Sequence, residues 1–527
     1  MYILYDRKGD SMKIIQCFRK LRISAVYAFC MFSLFLFVYD HYYYDITDTK
    51  YYFFSLTTCL AAGILLISTI FRRRKKKYIH CSFSLIDICI GSWLLVQIVS
   101  VILSDYQSQA FFGSAERHTG LLFSMLCVTG YLIVSRGNLK TKNIINVFLG
   151  STSLLHLLAL CNFFSVDPLG FFISLSDYQS SFFIATSGNI NFYASIICLS
   201  LPIACYLFIT SQNSKWYLLC AISGFFGLCI SNSDSGYLGI GCLLLFLIWY
   251  SCRSILYFRR SVFLVFALLS SAKILSMLSM LAPTASRPYL TLSAFLTDGS
   301  VSWILWFLCG LLLCCTVYLD RWFTEHLILI RKTILISYII LLLLVIFFFI
   351  YFSFINTTAS IGFFSSYLRW NDNWGTGRAN AWSHLLDAYR CFPLHQKLFG
   401  YGEDTTRLIM MNYYPTDSYL IQFDNAHNEY IQYFVTTGII GLCAYLSIWF
   451  SSFRLLIRHH DACTACTKAV CAGIAVYLIQ AVVNINQPIS TPLLFLLLAL
   501  LQMDLCRLKE TSPPLSIQKN SEIADPV

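Results

Sequence analysis

Charged residues are scarce in this chain: they make up 12% of its 527 residues, whereas 57% are hydrophobic. A typical soluble domain carries about 25% charged residues. The short alternating segments of a transmembrane barrel are also missing, because the apolar runs are long and continuous. These two absences exclude an ordinary soluble protein and indicate a helical membrane protein.

Familiar cofactor and catalytic motifs are missing as well. The chain contains no P-loop, no Rossmann glycine pattern and no clear Ser/His/Asp nucleophile arrangement. Most of its 22 cysteines lie in apolar runs, and residues 356–430 contain only Cys391, so no disulfide framework is predicted. The pair Cys463 and Cys466 lacks the second pair of a zinc site, so neither a metal nor a cofactor is predicted.

The apolar runs predict the fold. About fourteen of them approach the ~20 residues that a helix needs to cross the hydrocarbon core. We predict an all-α integral membrane protein, a polytopic bundle of about 12–14 transmembrane helices with one large external loop between late spans. The predicted parts are a cytoplasmic N-terminus (1–22), the first part of the bundle (23–355), an external catalytic loop (356–430), C-terminal membrane helices (431–506) and a cytoplasmic tail (507–527).

The net charge of +11 comes from basic residues that cluster in alternate loops between spans. This pattern orients membrane proteins and marks the cytoplasmic side, so the charge predicts topology and not nucleic-acid binding. Met1–Arg22 lacks the apolar core of a cleavable signal, and the first span is expected to direct membrane insertion. We predict a multi-pass protein of the cytoplasmic membrane with both termini inside and an active site facing outward.

Two helices are predicted at the external loop. From Thr376 onward, apolar residues recur at helical spacing for about four turns until Pro393, which predicts an amphipathic helix lying against the membrane face of the bundle. Further along, Asp424 or Asn425 is expected to cap a helix that places His427 in its first turn. The positive end of that helix would keep His427 neutral, so that it can accept a proton.

Several arginines accompany His427 on the predicted outer side. The guanidinium group suits phosphate oxygens and stays charged, so an arginine cluster beside a neutral histidine fits a phosphate-bearing lipid donor and a base for an incoming hydroxyl. The alternative is that these arginines contact lipid headgroups or nearby aspartates. The arginines are Arg117, Arg369, Arg378 and Arg407, and the aspartates are Asp372, Asp404 and Asp417.

Four short motifs occur along the chain in a fixed order. They are Glu116–Leu122, Ser187–Ala194 with Pro202, Gly375–Arg378 followed by Trp382, Pro393 and Gly400–Gly402, and Ala426–Gln432 followed by Thr437–Leu442. In this order they resemble the arginine–glycine element, the glycine–asparagine span opening, the glycine–arginine helix and the histidine signature of the bacterial O-antigen ligase and Wzy-type polymerase family. The signature around His427 is the most specific of the four.

The resemblance implies a membrane glycosyltransferase that needs no metal. It would move a glycan from an undecaprenyl diphosphate carrier to a hydroxyl of a glycan, lipid or protein acceptor, with other polysaccharide-assembly proteins as further partners. Whether the chain is a polymerase or a ligase stays open. The implied catalytic residues are His427 and Arg378, and the candidate substrate-binding residues are Arg117, Arg369, Arg407, Asn428, Gln432, Asn189 and Asn191.

One departure and two alternatives accompany this interpretation. Asp234 stands where the family often has an arginine at the outer end of a middle span. The chain could therefore be a catalytically inactive member.

Lys273 and Asp87 lie within predicted spans, where charges are costly and often functional. They could pair with each other, or serve a transporter or flippase-like protein. Asn428 and Gln432 could equally orient His427, bind sugar hydroxyls or cap the helix.

Overall fold

The computed structural model describes residues 23–40, 45–73, 83–115, 117–173, 175–212 and 214–511. The predicted N-terminal segment 1–22, residues 74–77 of the first basic loop and the part of the tail after residue 511 lie outside the described residues. The described part is almost entirely helical, which confirms the predicted fold class.

Eleven helices precede residue 282 in the described part of the chain. They are α1 (Ile23–Phe37), α2 (Ile46–Arg73), α3 (Leu85–Leu103), α4 (Gln107–Phe112), α5 (Leu121–Ser135), α6 (Thr141–Phe163), α7 (Asp177–Ser181), α8 (Ile190–Thr210), α9 (Ser214–Ser231), α10 (Asp234–Ser251) and α11 (Ile255–Leu281). Two short antiparallel strands, β1 (Phe183–Ile184) and β2 (Gly188–Asn189), immediately precede α8.

Eleven more helices follow. They are α12 (Thr291–Thr297), α13 (Ser300–Tyr318), α14 (Asp320–Ile355), α15 (Ser365–Leu368), α16 (Trp374–Cys391), α17 (Leu394–Phe399), α18 (Thr406–Tyr413), α19 (Glu429–Thr436), α20 (Gly438–Arg458), α21 (Ala465–Gln480) and α22 (Thr491–Thr511). Single 3-10 turns occupy Ala185–Ser187, Gly362–Phe364, Leu420–Gln422 and Ala481–Val483.

Within the described residues, 12 helices are long and apolar enough to cross a membrane, and the shorter apolar helices α1 and α5 add two further candidates. The central helix is α8, which packs against α9, α10 and α21 and is buried over almost its whole length. In contrast, α14 is exposed along its apolar window. A helix that is apolar on all sides and exposed is suited to contact lipid.

Basic loops meet at one end of the bundle. Arg136 pairs with Asp87 at 2.8 Å, Arg260 donates to the carbonyls of Ile209 and Ser211, and Arg507 donates to the carbonyl of Leu139. Because successive spans alternate in direction, the loops at the opposite end include residues 104–120, 164–189, 356–437 and 484–490. This opposite end carries the candidate active site.

The segment between α14 and α20 folds around its own small core. Leu385 and Ala388 of α16 pack with Ile409 of α18, Leu420 and Val435. The amphipathic pattern of α16 was therefore recognised correctly, but its apolar face is covered by the same segment and not by the membrane face of the bundle. The helix is stabilised by burying that face, as expected for a marginal isolated helix.

Glycines join this segment to the bundle. The backbone N–H groups of Tyr401 and Gly402 donate to the carbonyls of Val435 and Thr436 at the end of α19. Gly438, with φ of 71°, separates α19 from α20, and a Cβ there would collide with the Leu398 carbonyl. The helical stretch that follows His427 is thus divided into two helices.

Candidate active site

Residues that are distant in sequence converge on one cavity of about 180 Å³. The polar lining residues come from the ends of α2, β2, α8 and α21 and from two loops at the same end of the bundle. The cavity is lined by Ile46, Thr47, Arg117, Phe183, Ser187, Gly188, Asn189, Asn191, Phe192, His427, Asn484 and Ile485. Four of the nine predicted site residues thus share one wall: Arg117, Asn189, Asn191 and His427.

His427 lies just before a helix and not in its first turn, so that part of the prediction is wrong. The helix α19 begins at Glu429 and is capped by Asn428, whose side-chain oxygen accepts the N–H groups of Tyr430 and Ile431. Asn428 therefore serves as the N-cap. His427 has a left-handed backbone with φ of 49°, an uncommon conformation for a residue with a side chain.

Three side chains hold the backbone that carries His427. The Asn425 side chain accepts the N–H of His427 at 3.0 Å, and the Gln432 side-chain oxygen accepts the N–H of Ala426 at 3.0 Å. From the other side, the indole N–H of Trp382 donates to the Ala426 carbonyl at 2.7 Å. Gln432 is therefore buried behind the histidine and orients it, instead of lining the cavity.

The environment of the imidazole favours its neutral form. Burial lowers the pKa of His427 to about 4, and the positive charges of Arg378 and Arg117 act in the same direction, against an opposing effect of Asp424. Neither ring nitrogen has a hydrogen-bond partner within the described part of the chain. A neutral imidazole that lines a cavity is available to accept a proton.

Arg117 is held by a partner that the sequence analysis did not consider for it. Its Nε and Nη2 groups both lie 2.7 Å from one carboxylate oxygen of Asp424. The predicted alternative partner Asp404 instead accepts the N–H and hydroxyl of Ser114, three residues before Arg117. Asp404 thus fixes the loop, and Asp424 fixes the guanidinium beside His427.

Arg378 begins the right-handed part of α16. The three residues before it are left-handed, with φ of 61° at Gly375, 60° at Thr376 and 87° at Gly377. Arg378 and Trp382 are four residues apart and lie on one face of the helix, which is the face that holds Ala426. This placement explains why the charge of Arg378 acts on His427.

Among the described residues, the guanidinium of Arg378 forms no hydrogen bond or ion pair, and its Nε is buried without a partner. Burial lowers its pKa, and the carboxylate of Asp234 partly offsets this effect. Asp234 itself accepts the hydroxyls of Thr291 and Tyr367 at 2.7 and 2.8 Å. An unpaired buried guanidinium at a helix start is a site that attracts an anion.

The other two predicted arginines do not line the cavity. Arg369 donates to the carbonyl of Ala359 within the segment between α14 and α20, and Arg407 is exposed at the start of α18. Glu429, within the histidine signature, points into the bundle and accepts the Tyr445 hydroxyl at 2.6 Å. Of the four predicted arginines, only Arg117 and Arg378 therefore act electrostatically on His427.

The sequence analysis missed three cavity or support residues: Ser187, Asp424 and Asn484. Ser187 stands inside the recognised stretch Ser187–Ala194. Asp424, considered from sequence only as a helix cap, stands two residues before the recognised stretch Ala426–Gln432, so the positions of both residues beside Asn189 and His427 were an available signal. Asn484 stands 57 positions after His427 in a loop between two spans, where no local pattern indicated a function. Only folding brings Asn484 against α8, where its amide donates to Ser195 at 2.8 Å.

Lys273 and Asp87 do not pair with each other. The ammonium of Lys273 donates to the carbonyls of Leu296 and Thr297 at the carboxyl end of α12, whereas Asp87 binds Arg136 and Tyr131 at the basic end of the bundle. Cations are stabilising at helix carboxyl ends. Each charge therefore has a local structural partner.

No cluster of three or more histidines, cysteines, aspartates or glutamates suited to a metal ion is found in the described ranges.

A comparison with curated proteins finds no match. A family model described as O-antigen ligase matches residues 289–446, a segment that contains Arg378, His427 and the glycine contact at Gly438. This match confirms the resemblance carried by the motifs: residues 289–446 are similar to the O-antigen ligase family, and the described part of the chain has the long apolar helices of a multi-pass membrane protein.

Proposed function

We propose that the protein transfers a glycan from a lipid diphosphate carrier, undecaprenyl diphosphate, to an acceptor hydroxyl at the outer face of the cytoplasmic membrane. The family implies an enzyme of the ligase or polymerase type that uses a lipid-linked glycan in a membrane. One observation carries the proposal: a neutral His427 without a hydrogen-bond partner and an Arg378 without an ion-pair partner lie together at one end of a membrane bundle.

The proposed reaction is a single displacement. The acceptor oxygen forms a bond to the anomeric carbon of the donor sugar while its proton passes to a ring nitrogen of His427. The bond between that carbon and the carrier phosphate breaks, and its electron pair leaves with the diphosphate. The imidazolium then releases the proton to water outside the membrane.

Arg378 is assigned to the leaving diphosphate. Its guanidinium has no protein anion in contact, so it can meet phosphate oxygens without first breaking an ion pair. Charge that develops on the diphosphate is stabilised most where the donor is already oriented and water is excluded. Arg117 is not assigned to the diphosphate, because its guanidinium already forms an ion pair with Asp424.

The test uses a strain that lacks the gene, complemented with wild-type protein, His427→Ala or His395→Ala at matched membrane levels. General-base assistance is worth about 10²–10⁴-fold in rate, so His427→Ala should nearly abolish glycan transfer. His395 is exposed in the same external segment and serves as the matched control, which should restore the wild-type glycan profile.

The accumulated intermediate distinguishes the two acceptor classes. Single repeat units in the deletion strain would identify a polymerase, whereas long carrier-linked chains would identify a ligase. Restoration of the full profile by His427→Ala would remove His427 as the base. A glycan profile that deletion leaves unchanged would refute the proposed function.

A further inference from the structure

The cavity beside His427 is built mostly by residues outside the segment that matches the family. Residues 289–446 contribute only His427 to its lining. The rest of the wall comes from residues 46–47, 117, 183–192 and 484–485. The proposed base and the residues that a substrate would contact thus come from different parts of the sequence.

The wall carries polar groups that the protein does not satisfy. The hydroxyl of Ser187 is buried and has no hydrogen-bond partner in the described part of the chain. Buried polar groups are almost always paired, so an unpaired hydroxyl on a cavity wall points to a ligand. The Asn484 amide group donates to Ser195 at 2.8 Å and to the Asn191 carbonyl at 3.2 Å, which turns its side-chain oxygen away from these two partners.

The chemistry of this wall suits an uncharged polyol. Among the described residues that line it, Arg117 is the one permanent cation and is paired with Asp424, and the polar side chains other than His427 are amides and hydroxyls. The rings of Phe183 and Phe192 supply apolar faces of the kind that pack against the C–H groups of a sugar ring. Drug-sized ligands occupy roughly 300–1,000 Å³, so this smaller cavity fits one ring of a glycan.

We propose that this cavity binds the terminal sugar ring of the acceptor, and that Ser187 and Asn484 determine which sugar it admits. This inference rests on the proposed glycan transfer. A donor diphosphate would require an unpaired cation, and Arg378 is not part of the cavity lining. The acceptor sugar, by contrast, must bring a hydroxyl to His427, which is part of the lining.

The binding test uses the full-length protein in lipid nanodiscs and a panel of methyl pyranosides that differ in ring stereochemistry. Dissociation constants are measured by saturation-transfer NMR titration. We expect at least one pyranoside to bind, and Ser187→Ala and Asn484→Ala each to weaken that binding by about 3- to 10-fold, the usual effect of one hydrogen bond.

The two variants differ in their structural risk. Ser187→Ala removes a hydroxyl that has no partner in the protein, so it should not weaken the fold, whereas Asn484→Ala also removes the bond to Ser195. Asn143→Ala is the matched control, because this exposed amide begins α6 at the opposite end of the bundle. It should bind the pyranoside as tightly as wild type.

Transfer kinetics separate this proposal from the proposed function. We expect Ser187→Ala to raise the KM for the acceptor while leaving the KM for the carrier-linked donor unchanged. Pyranoside binding that depends on Ser187 in a protein without any transfer activity would support the sugar site and refute the transferase. Active transfer together with no pyranoside binding by wild type, or with binding that Ser187→Ala and Asn484→Ala leave unchanged, would overturn the sugar site.

Discussion

His427 has a backbone conformation that only its surroundings can maintain. A left-handed residue with a side chain typically costs about 1–3 kcal/mol, and such residues cluster at functional sites. Here, bonds from Asn425, Gln432 and Trp382 hold the strained backbone from three directions. The imidazole is thereby presented to the cavity before substrate arrives, which removes an ordering cost from the reaction.

The pH dependence of transfer should report the charge of Arg378. In the proposed reaction the neutral imidazole is the base, so kcat/KM should fall as pH drops through the pKa of His427, which is lowered to about 4. Arg378→Gln removes a like charge and should raise that pKa. For Arg378→Gln, the acid limb of the kcat/KM profile, measured from pH 3.5 to 8, should therefore move to higher pH. The transfer rate of this variant should also fall.

Arg407→Gln is the matched control for this profile, because Arg407 is exposed and does not line the cavity. Its acid limb should coincide with that of wild type. If the limb of Arg378→Gln also coincided with wild type, the electrostatic link between Arg378 and His427 would be refuted.

At the scale of elements, the break between α19 and α20 positions the external segment on the bundle. Gly438 adopts φ of 71° and approaches the Leu398 carbonyl, and Gly400 approaches the backbone of Thr436. Any Cβ at these two positions would separate the loop that carries Tyr401 from the end of α19. The glycines of the family signature are thus needed for close backbone packing.

Gly438→Ala should destabilise the protein. The left-handed conformation alone costs an alanine about 1–3 kcal/mol, and the collision with Leu398 adds to it. The measurement is the thermal midpoint of the detergent-solubilised protein, followed by fluorescence-detected size exclusion. Gly241→Ala is the control, because a Cβ there meets nothing within 4 Å in α10; a Gly438→Ala midpoint equal to that of this control would contradict the packing argument.

At the scale of the whole molecule, the two ends of the bundle differ in chemistry. One end joins basic loops through contacts such as Arg136 with Asp87, and the other holds the cavity and the external segment. The positive-inside rule predicts that the basic end faces the cytoplasm. Glycan transfer at the cavity would then take place on the outer face of the membrane.

Cysteine labelling tests this orientation. Cys391 is exposed in the external segment, so a membrane-impermeant maleimide should label it in intact spheroplasts or protoplasts. Cys391→Ser should remove this labelling. A cysteine introduced by Arg321→Cys into the Cys391→Ser variant should react only after lysis, because the Arg321 side chain is 94% exposed at the basic end; the reverse labelling pattern would invert the topology.

Sequence alone was sufficient for features that repeat along the chain. Apolar length predicted the membrane spans, and the order of short motifs predicted the family resemblance that the match over residues 289–446 confirms. Local chemistry was less reliable, because helix boundaries depend on which polar side chain wins the capping position. Asn428 caps α19 instead of Asp424, and Asp424 is free to hold Arg117.

Only the tertiary structure decided which polar residues share the site. Arg117, Asn189 and Asn484 are separated by 72 and 295 positions along the chain and meet because successive spans return to the same end of the bundle. It also separated the arginines by their partners: Arg117 has Asp424, and Arg378 has none in the described chain. Sequence determined the membrane architecture and the family resemblance, because hydrophobic length and local motifs are properties of contiguous residues; pairing and burial are properties of the packed bundle.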